Sequence, residues 1–234
     1  MTDAPSSPDG VTARLLEAIT PHVPFDGWSQ KAFRMAVADA GVEMAVADAV
    51  CPRGAVDLAV AYHRAGDAEM VRRIHAAEMG EMRFRDRVAA AVRFRLEAVE
   101  DKELVRRGST LFALPMYAGD GARLVWGTVD RIWDTLGDTA RDYNWYTKRA
   151  TLAGVYSATV LYWLGDDSDD NARTWAFLDR RVDDVMRIEK AKSQARENAL
   201  LKPLVSGAEQ ALAWVKAPDR GPRTDMPGSW QGPR

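Results

Sequence analysis

The fold of this chain is decided by residues 145–164, whose sequence is WYTKRATLAGVYSATVLYWL. Beyond Arg149 this segment has no charged residue, and its apolar side chains cover every side of a helix with 3.6 residues per turn. A helix that is apolar nearly all round is buried in the centre of its domain. The segment therefore predicts a central helix that the rest of the chain surrounds.

The flanking sequence also has helical periodicity, and no hairpin turn lies between alternating apolar runs. We therefore predict an all-α fold of residues 11–201, preceded by disordered residues 1–10 and followed by an amphipathic helix and a disordered tail, 217–234. About ten helices are expected, at 11–21, 29–40, 43–50, 54–78, 81–105, 108–116, 120–136, 145–164, 171–201 and 204–216.

The composition narrows the function classes. The net charge of −2 gives no electrostatic argument for binding nucleic acid, and the single cysteine excludes an intramolecular disulfide. The first ten residues have neither a basic nor an apolar signal region. The longest uncharged run, 150–165, is shorter than the roughly 20 apolar residues of a membrane span. These features predict a soluble cytoplasmic protein.

The N-terminal segments have a recognisable spacing. Ser29 is placed to cap a helix, and Gly41 makes a turn into a short helix at 43–50. This layout resembles the helix-turn-helix of TetR-type regulators over residues 11–65. The helix at the DNA-reading position, EMAVADAV, has Glu43 and Asp48 but no Lys, Arg, Asn or Gln to read bases. Because carboxylates repel phosphates, we expect no nucleic acid binding.

Catalytic and metal-binding patterns are weak. His22, His63 and His75 have no metal-ligand spacing, and each is interpreted as an ordinary surface or core residue. The acidic run 165–171 lacks the glycine and glutamate of a calcium loop, so its carboxylates are expected to cap the next helix. The sequence has no phosphate-binding loop, nucleophile elbow or zinc-helix motif. We therefore expect no metal, no catalytic residue and no enzyme activity.

The segment 130–149 combines aromatic and charged residues around a turn. If the loop 137–144 makes helices 120–136 and 145–164 antiparallel, Asp130 approaches Arg149. Large aromatics beside arginine at an exposed helix end are typical of a binding hot spot. We predict a partner surface here, and the alternative is that the tryptophans are core. Its residues are Asp130, Trp145, Tyr146 and Arg149.

Two further sites follow from apolar patterns. Helices 108–116, 120–136 and 145–164 supply many large apolar side chains with few polar groups, which predicts an elongated apolar cavity. Its predicted lining residues are Leu111, Phe112, Leu114, Met116, Leu152, Tyr156 and Val160. The amphipathic helix 204–216 is expected either to dock on the domain or to contact a membrane surface. Its predicted membrane-contact residues are Leu204, Val205, Leu212, Trp214 and Val215.

Two blocks of sequence carry a family resemblance. The pattern D-x-x-W-x-x-x-G-D-x-x-x-D-Y-N-W-Y-T-K-R-A-x-L-A-x-V-Y spans Asp130–Tyr156, and D-D-S-D-D followed by T-W-x-F-L-x-x-R spans Asp166–Arg181. Both are similar to the Coq-nine family of ubiquinone-biosynthesis accessory proteins. The likeness extends over roughly residues 11–190.

The resemblance implies a TetR-like fold that has lost DNA binding. It implies a cavity for isoprenoid lipids or ubiquinone precursors and no cofactor besides such a lipid. It further implies presentation of the lipid to the di-iron demethoxyubiquinone hydroxylase, with the C-terminal helix touching the membrane. We expect a bacterial member, peripheral at the cytoplasmic face of the inner membrane. Whether it forms a homodimer is left open. The alternative is a TetR-type regulator with a hydrophobic effector.

Overall fold

The computed structural model describes residues 7–197 and 215–218. Within these residues every regular element is helical, which confirms the all-α prediction. The helices are α1 Pro8–Ile19, α2 Val23–Asp26, α3 Gln30–Asp39, α4 Met44–Val50, α5 Ala55–Ala76, α6 Phe84–Glu97, α7 Lys102–Phe112, α8 Ala118–Thr135, α9 Tyr143–Leu164 and α10 Ala172–Glu197, with a short 3₁₀ helix at Asp169–Asn171.

The N-terminal helices α1 to α4 pack with the beginning of α5 around one apolar core. Ser29 caps α3 as predicted, because its hydroxyl accepts a hydrogen bond from the N–H of Ala32 at 3.2 Å. Cys51, which follows α4, is buried in this core. Burial raises the pKa of its thiol to about 11, helped by Asp57 and opposed by a hydrogen bond with Thr12.

A second, larger core lies among α5, α6, α8, α9 and α10. The helix α5 belongs to both cores, since Leu58 is buried in the first and Met70 in the second. The predicted central helix is α9, which contributes Leu152, Tyr156 and Trp163 to the second core. One long helix therefore joins the two halves of the domain.

The predicted helix 81–105 is wrong, because the chain breaks it into α6 and α7. The break comes at residues 98–101, where the Asp101 carboxylate accepts a hydrogen bond from the N–H of Glu103 at 2.8 Å. Asp101 thus caps a new helix, and the buried Leu104 anchors that helix to the first core. The predicted helix 108–116 is the second half of α7 and ends at Phe112.

The short helix α2 was not predicted from the sequence. Pro24 lies in its first turn, and Gly27 follows its end with φ of +66°, a left-handed conformation that favours glycine. The turn directs Trp28 back into the N-terminal core.

The helix α4 occupies the position that reads DNA in a helix-turn-helix protein. Only Ala47 of this helix is buried, and its exposed surface includes Met44, Val46 and Asp48. That surface offers no cation or amide to a base or a phosphate. The loss of DNA binding stays a prediction.

The acidic run before α10 acts as a helix cap, as expected. Asp166 accepts hydrogen bonds from the backbone N–H and the hydroxyl of Thr174, at 2.8 and 2.6 Å. Although burial opposes it, hydrogen bonds from Thr174 and Ser168 hold the pKa of Asp166 well below its usual range. This carboxylate therefore stays charged at the positive end of α10.

Candidate functional site

An apolar cavity of about 230 Å³ lies where the two cores meet, among α5, α6, α7, α8 and α9. Leu161, which is 67% exposed, lines it, so the cavity opens to the surface beside α9. Its apolar lining comes chiefly from Trp28, Leu96, Leu104, Phe112, Leu124 and Val160. Few polar groups interrupt this lining, as in small-molecule sites that hold apolar ligands.

One wall of the cavity is polar. His63 and Arg95 line it, and both connect to Asp67, which is buried on α5. Arg95 Nε donates to Asp67 Oδ1 at 2.8 Å, and Arg95 Nη2 donates to the His63 carbonyl at 3.1 Å. The Thr128 hydroxyl of α8 lies 2.9 Å from the same Asp67 oxygen. The ion pair and the hydroxyl thus join α5, α6 and α8 behind the cavity.

His63 is held as a neutral ring in this wall. Its Nε2 lies 2.8 Å from the Thr128 hydroxyl, whose own proton goes to Asp67 or to the Leu124 carbonyl. The tautomer with the proton on Nε2 lets His63 donate to Thr128 while the hydroxyl donates onward, and it leaves Nδ1 as an acceptor. Burial and the Arg95 charge lower the pKa of His63 from 6.5 to about 4.

Tyr156 completes the polar wall from α9. Its ring is buried and lines the cavity. Burial raises the pKa of its phenol, so the group stays protonated near neutral pH. With Arg95 balanced by Asp67, the wall combines hydrogen-bonding groups with no net charge. Such a wall suits the polar end of an uncharged amphiphile.

A second apolar cavity of about 300 Å³ lies among α6, α8, α9 and α10. Trp133, Leu152 and Val155 are among its lining residues, and Lys148 and Arg85 also border it. The predicted single elongated cavity is therefore two separate spaces. The helix α9 lines both, because its apolar residues point in all directions, as its sequence indicated.

The structure distributes the seven predicted lining residues unevenly. Phe112, Tyr156 and Val160 line the first cavity, whereas Leu152 lines the second. The other three line neither: Leu111 packs on the N-terminal core, while Leu114 and Met116 are 44% and 74% exposed. Leu114 and Met116 were misplaced because α7 ends at Phe112 and the residues after it turn toward solvent, whereas Leu111 lies within α7 on the side of the N-terminal core.

The junction of α8 and α9 contains a second buried arginine. As predicted, Asp130 approaches Arg149, with Arg149 Nε 2.5 Å from Asp130 Oδ1. Arg149 also pairs with Asp138 at 3.0 Å and with Asp134 at 3.2 Å. The Trp145 ring lies 4.0 Å from the guanidinium carbon. Each guanidinium nitrogen of Arg149 thus faces a different carboxylate.

The expectation that Trp145 and Arg149 lie on an exposed surface is wrong. Trp145 is 7% exposed and Arg149 is fully buried, because the ion pairs and the neighbouring Trp126 enclose them. Tyr146 is 38% exposed and packs edge-on against Trp145, with ring centroids 4.7 Å apart. Of the four residues of the predicted partner surface, Tyr146 is the most exposed to solvent.

The segment 215–218 lies against this junction. Ala217 N–H donates to the Arg141 carbonyl at 3.0 Å, and the Tyr146 hydroxyl donates to the Lys216 carbonyl at 3.4 Å. Val215 and Lys216 have no helical structure, so the predicted helix 204–216 does not reach its expected end. The other predicted membrane-contact residues, Leu204, Val205, Leu212 and Trp214, lie outside the described residues.

The polar wall was not predicted from the sequence. His63 was interpreted as an ordinary residue, and Arg95, Asp67 and Thr128 were not selected as site residues. One local signal existed, because His63 and Asp67 are four residues apart and therefore share a face of α5. The partners on α6 and α8 come together only through the tertiary fold.

The described residues contain neither a metal-binding cluster nor a membrane-spanning helix. No group of three or more His, Cys, Asp or Glu side chains there could hold a metal ion. Among the helices of this part of the chain, none is long and apolar enough to cross a membrane.

One solved structure has a similar fold. The crystal structure of the TetR transcriptional regulator from Nitrosomonas europaea matches with a TM-score of 0.60 and 16% identity. The match covers 74% of this chain and 95% of that one. At this level of identity it shows a TetR-like fold, as predicted.

Sequence relatives share one name. The "Ubiquinone biosynthesis protein COQ9, mitochondrial" of Drosophila melanogaster is 31% identical over 191 residues, which are 80% of this chain and 58% of the fly protein. The Rattus norvegicus protein of the same name is 28% identical, over 90% of this chain and 69% of its own length. The chain thus spans between half and three quarters of these two relatives.

A family model agrees with these relatives. The COQ9 model matches residues 118–189, from the beginning of α8 into α10. This range includes Arg149 and its three aspartates, as well as Tyr156 and Val160 of the first cavity. The model, the relatives and the two predicted sequence blocks agree, and they show that the chain is similar to the COQ9 family, the Coq-nine family that its motifs resemble.

Proposed function

We propose that this chain is an accessory protein of ubiquinone biosynthesis that holds an isoprenoid or quinone lipid and presents it to the di-iron demethoxyubiquinone hydroxylase. The observation that carries the proposal is the first cavity, whose mainly apolar lining includes one hydrogen-bonding wall with no net charge. The names of the relatives support the pathway. In this role the chain supplies a binding site, and the partner enzyme supplies the chemistry.

The cavity geometry orients the bound molecule. The polar ring of a quinone precursor lies against His63 and Tyr156, where it replaces hydrogen bonds to water. Its isoprenoid chain follows the apolar lining toward Leu161, where the cavity opens. At about 230 Å³ the cavity is close to the lower end of ligand sites, which range from about 300 to 1,000 Å³. It therefore holds the ring and the first part of a long chain.

A matched pair of substitutions tests the lipid site. Val160→Glu places a charge inside the cavity, whereas Met116→Glu places the same charge on an exposed side chain. Lipid extraction and mass spectrometry of the purified proteins should find isoprenoid lipid in the wild type and in Met116→Glu. Val160→Glu should have lost it. Equal lipid content in a folded Val160→Glu protein would contradict the assignment.

The partner contact is proposed at the exposed side of the α8–α9 junction. Tyr146 offers an aromatic side chain backed by Trp145, and truncating such a side chain costs about 2 kcal/mol, roughly thirtyfold in affinity. Tyr162 is a matched control, since it is equally exposed at 38% and lies at the other end of α9. Tyr146→Ala should weaken capture of the hydroxylase, and Tyr162→Ala should not.

The membrane contact is proposed for residues 204–216, on the amphipathic pattern of their sequence alone. This contact is proposed to hold the protein peripherally at the inner membrane. Liposome flotation of the wild type against a Leu204→Glu/Leu212→Glu double variant measures this contact directly. Equal flotation of the two proteins would move the membrane contact to another part of the chain.

The alternative, a TetR-type regulator, has the fold likeness in its favour. The exposed surface of α4 counts against it, because Asp48 and the N-cap residue Glu43 are exposed carboxylates and the helix has no cation to attract a phosphate. A mobility-shift assay with genomic fragments distinguishes the two functions.

A further inference from the structure

A polar groove of about 260 Å³ lies between α5 and α8, and Asp67 is part of its lining. Its walls carry four arginines, Arg53, Arg64, Arg123 and Arg131. Leu124 lines both the groove and the first cavity, and Asp67 of the groove is hydrogen-bonded to Arg95 of the cavity wall, so the two spaces are neighbours. The groove belongs neither to the proposed lipid site nor to the α8–α9 junction.

The helical spacing explains why the arginines converge. On α8, Asp120, Arg123, Gly127 and Arg131 follow one another at intervals of three and four residues, which keeps them on one face. Arg64 projects from the adjacent face of α5. Two packed helices therefore bring together cations that are far apart in sequence.

Two of the arginines are held in place by a shared carboxylate. Asp120 Oδ2 accepts from Arg53 Nη1 at 2.9 Å, and Asp120 Oδ1 accepts from Arg123 Nη2 at 2.6 Å. Arg53 also pairs with Asp57 at 2.8 Å. Since a guanidinium has five N–H donors, these contacts fix the side chains and leave donors for a ligand.

The other two arginines have no such partner. Among the described residues, Arg64 and Arg131 make no side-chain hydrogen bond or ion pair, and both are exposed. The Asp67 charge on the floor is already balanced by Arg95 from the inner side. In the part of the chain that the structure describes, the four arginines are then opposed by two carboxylates, Asp120 in the groove lining and Asp57, which pairs with Arg53. The groove has an excess of two positive charges.

The middle of the groove is open at Gly127. A Cβ at this position would meet no atom within 4 Å. An alanine would be the better helix former here by about 1 kcal/mol, so the helix itself gives no reason for glycine. A side chain longer than alanine would project into the groove between the arginines.

We propose that this groove binds a phosphate group. A phosphate monoester carries about −1.5 to −2 charges at neutral pH, which matches the excess of two positive charges. Its oxygens accept the paired N–H donors of arginine, and such charge-assisted hydrogen bonds are roughly twice as strong as neutral ones. The ligand is either a small phosphorylated molecule or the phosphate of a lipid headgroup.

The groove and the lipid cavity are separate sites. The Asp67, Thr128 and His63 side chains lie between them and are hydrogen-bonded to one another. A phosphate can therefore occupy the groove whether or not the cavity holds a lipid. Loss of one site need not empty the other, so the two proposals can fail independently.

The experiment measures binding of inorganic phosphate and pyrophosphate by calorimetry, and flotation with vesicles of phosphatidylcholine with and without phosphatidic acid. Arg64→Gln and Arg131→Gln should each weaken binding about tenfold, which corresponds to about 1.4 kcal/mol. Arg34→Gln is the control, since it removes another exposed charge, on α3, and should change binding less than twofold. Unchanged melting temperatures show that each variant is folded.

A steric variant tests the position without changing any charge. Gly127→Leu should weaken binding about as much as loss of an arginine, whereas Gly127→Ala should bind like the wild type. Binding of free phosphate or pyrophosphate identifies a soluble ligand. Binding of only the vesicles with phosphatidic acid identifies a lipid headgroup. The proposal is overturned if no probe binds, or if Arg64→Gln, Arg131→Gln and Gly127→Leu bind like the wild type.

Discussion

Two buried arginines tie the helices of this domain together, and their surroundings differ. Arg149 faces three carboxylates, one at each guanidinium nitrogen, and serves to hold α9 against α8. Arg95 has one carboxylate, Asp67, and lies beside an apolar cavity together with His63 and Tyr156. A buried arginine paired with aspartate therefore has a structural role at Arg149 and is part of the proposed ligand site at Arg95. The two roles differ because the first cavity lies beside Arg95, whereas Arg149 is enclosed by its carboxylates.

The largest expected effect is at the structural arginine. Arg149→Ala leaves three carboxylates close together without the cation that they share, and breaking a buried ion pair costs about 3–5 kcal/mol. The melting temperature should fall by roughly 6–20 °C. Lys148→Ala, which removes a partly exposed cation from the same cluster, should cost far less. Equal losses in the two variants would show that Arg149 is not the centre of the junction.

The second effect is a difference in folding stability between the alanine variants of Trp145 and Tyr146. Trp145→Ala removes a buried ring that stacks on Arg149 and should cost about 3 kcal/mol of folding stability. Tyr146→Ala should leave the melting temperature within a few degrees, because its ring is largely at the surface. Thermal unfolding of both variants checks this. A stable Trp145→Ala protein that fails to capture the hydroxylase would restore the predicted role of Trp145 in partner binding.

The third effect is a pH dependence at the cavity wall. The pKa of His63 is lower in the folded protein than in the unfolded chain, about 4 against 6.5, so protonation favours unfolding. Keeping His63 neutral therefore contributes to the free energy of unfolding. This contribution is complete above pH 6.5 and is lost as the pH falls toward 4, by at most about 3 kcal/mol. Chemical denaturation at pH 7.5 and pH 5 measures it. His63→Gln should remove this part of the pH dependence, and an unchanged profile would show that the ring is not buried as neutral.

The smallest effect concerns the packing of Arg95. A Cβ at Gly66 would lie 2.6 Å from Arg95 Nη1, so Gly66→Ala should push the guanidinium away from Asp67 at a cost of about 1–2 kcal/mol. Gly154→Ala, where no atom lies within 4 Å, should be neutral or stabilising by about 0.5–1 kcal/mol. We expect Gly66→Ala to lower the free energy of unfolding, and Gly154→Ala to leave it unchanged or raise it. A stabilised Gly66→Ala protein would mean that Arg95 relaxes without loss.

The sequence predicted the parts of the fold that local patterns determine. The apolar helix 145–164 is the buried α9, and the Ser29 cap begins α3 next to its predicted position. The helix break at Asp101 was missed, because helical periodicity continues across it and only the capping hydrogen bond shows where α7 begins.

The candidate site was predicted less well for a physical reason. Aromatic and charged residues crowd the segment 130–149, and their density suggested a surface. The charges instead neutralise one another inside the domain, around Arg149. The polar wall of the cavity takes His63 and Asp67 from α5, Arg95 from α6 and Thr128 from α8. No local pattern in the sequence could bring together residues that lie up to 65 positions apart.

The buried Cys51 makes the N-terminal helices measurable by thiol labelling. It is the only cysteine of the chain, it lies in the N-terminal core, and its thiol pKa of about 11 leaves very little thiolate near neutral pH. A thiol reagent can therefore react only when α1, α4 and α5 separate. The labelling rate in the native protein then reports how often this half of the molecule opens while the rest stays folded. A ligand that spans both cores would slow the reaction without touching the sulfur.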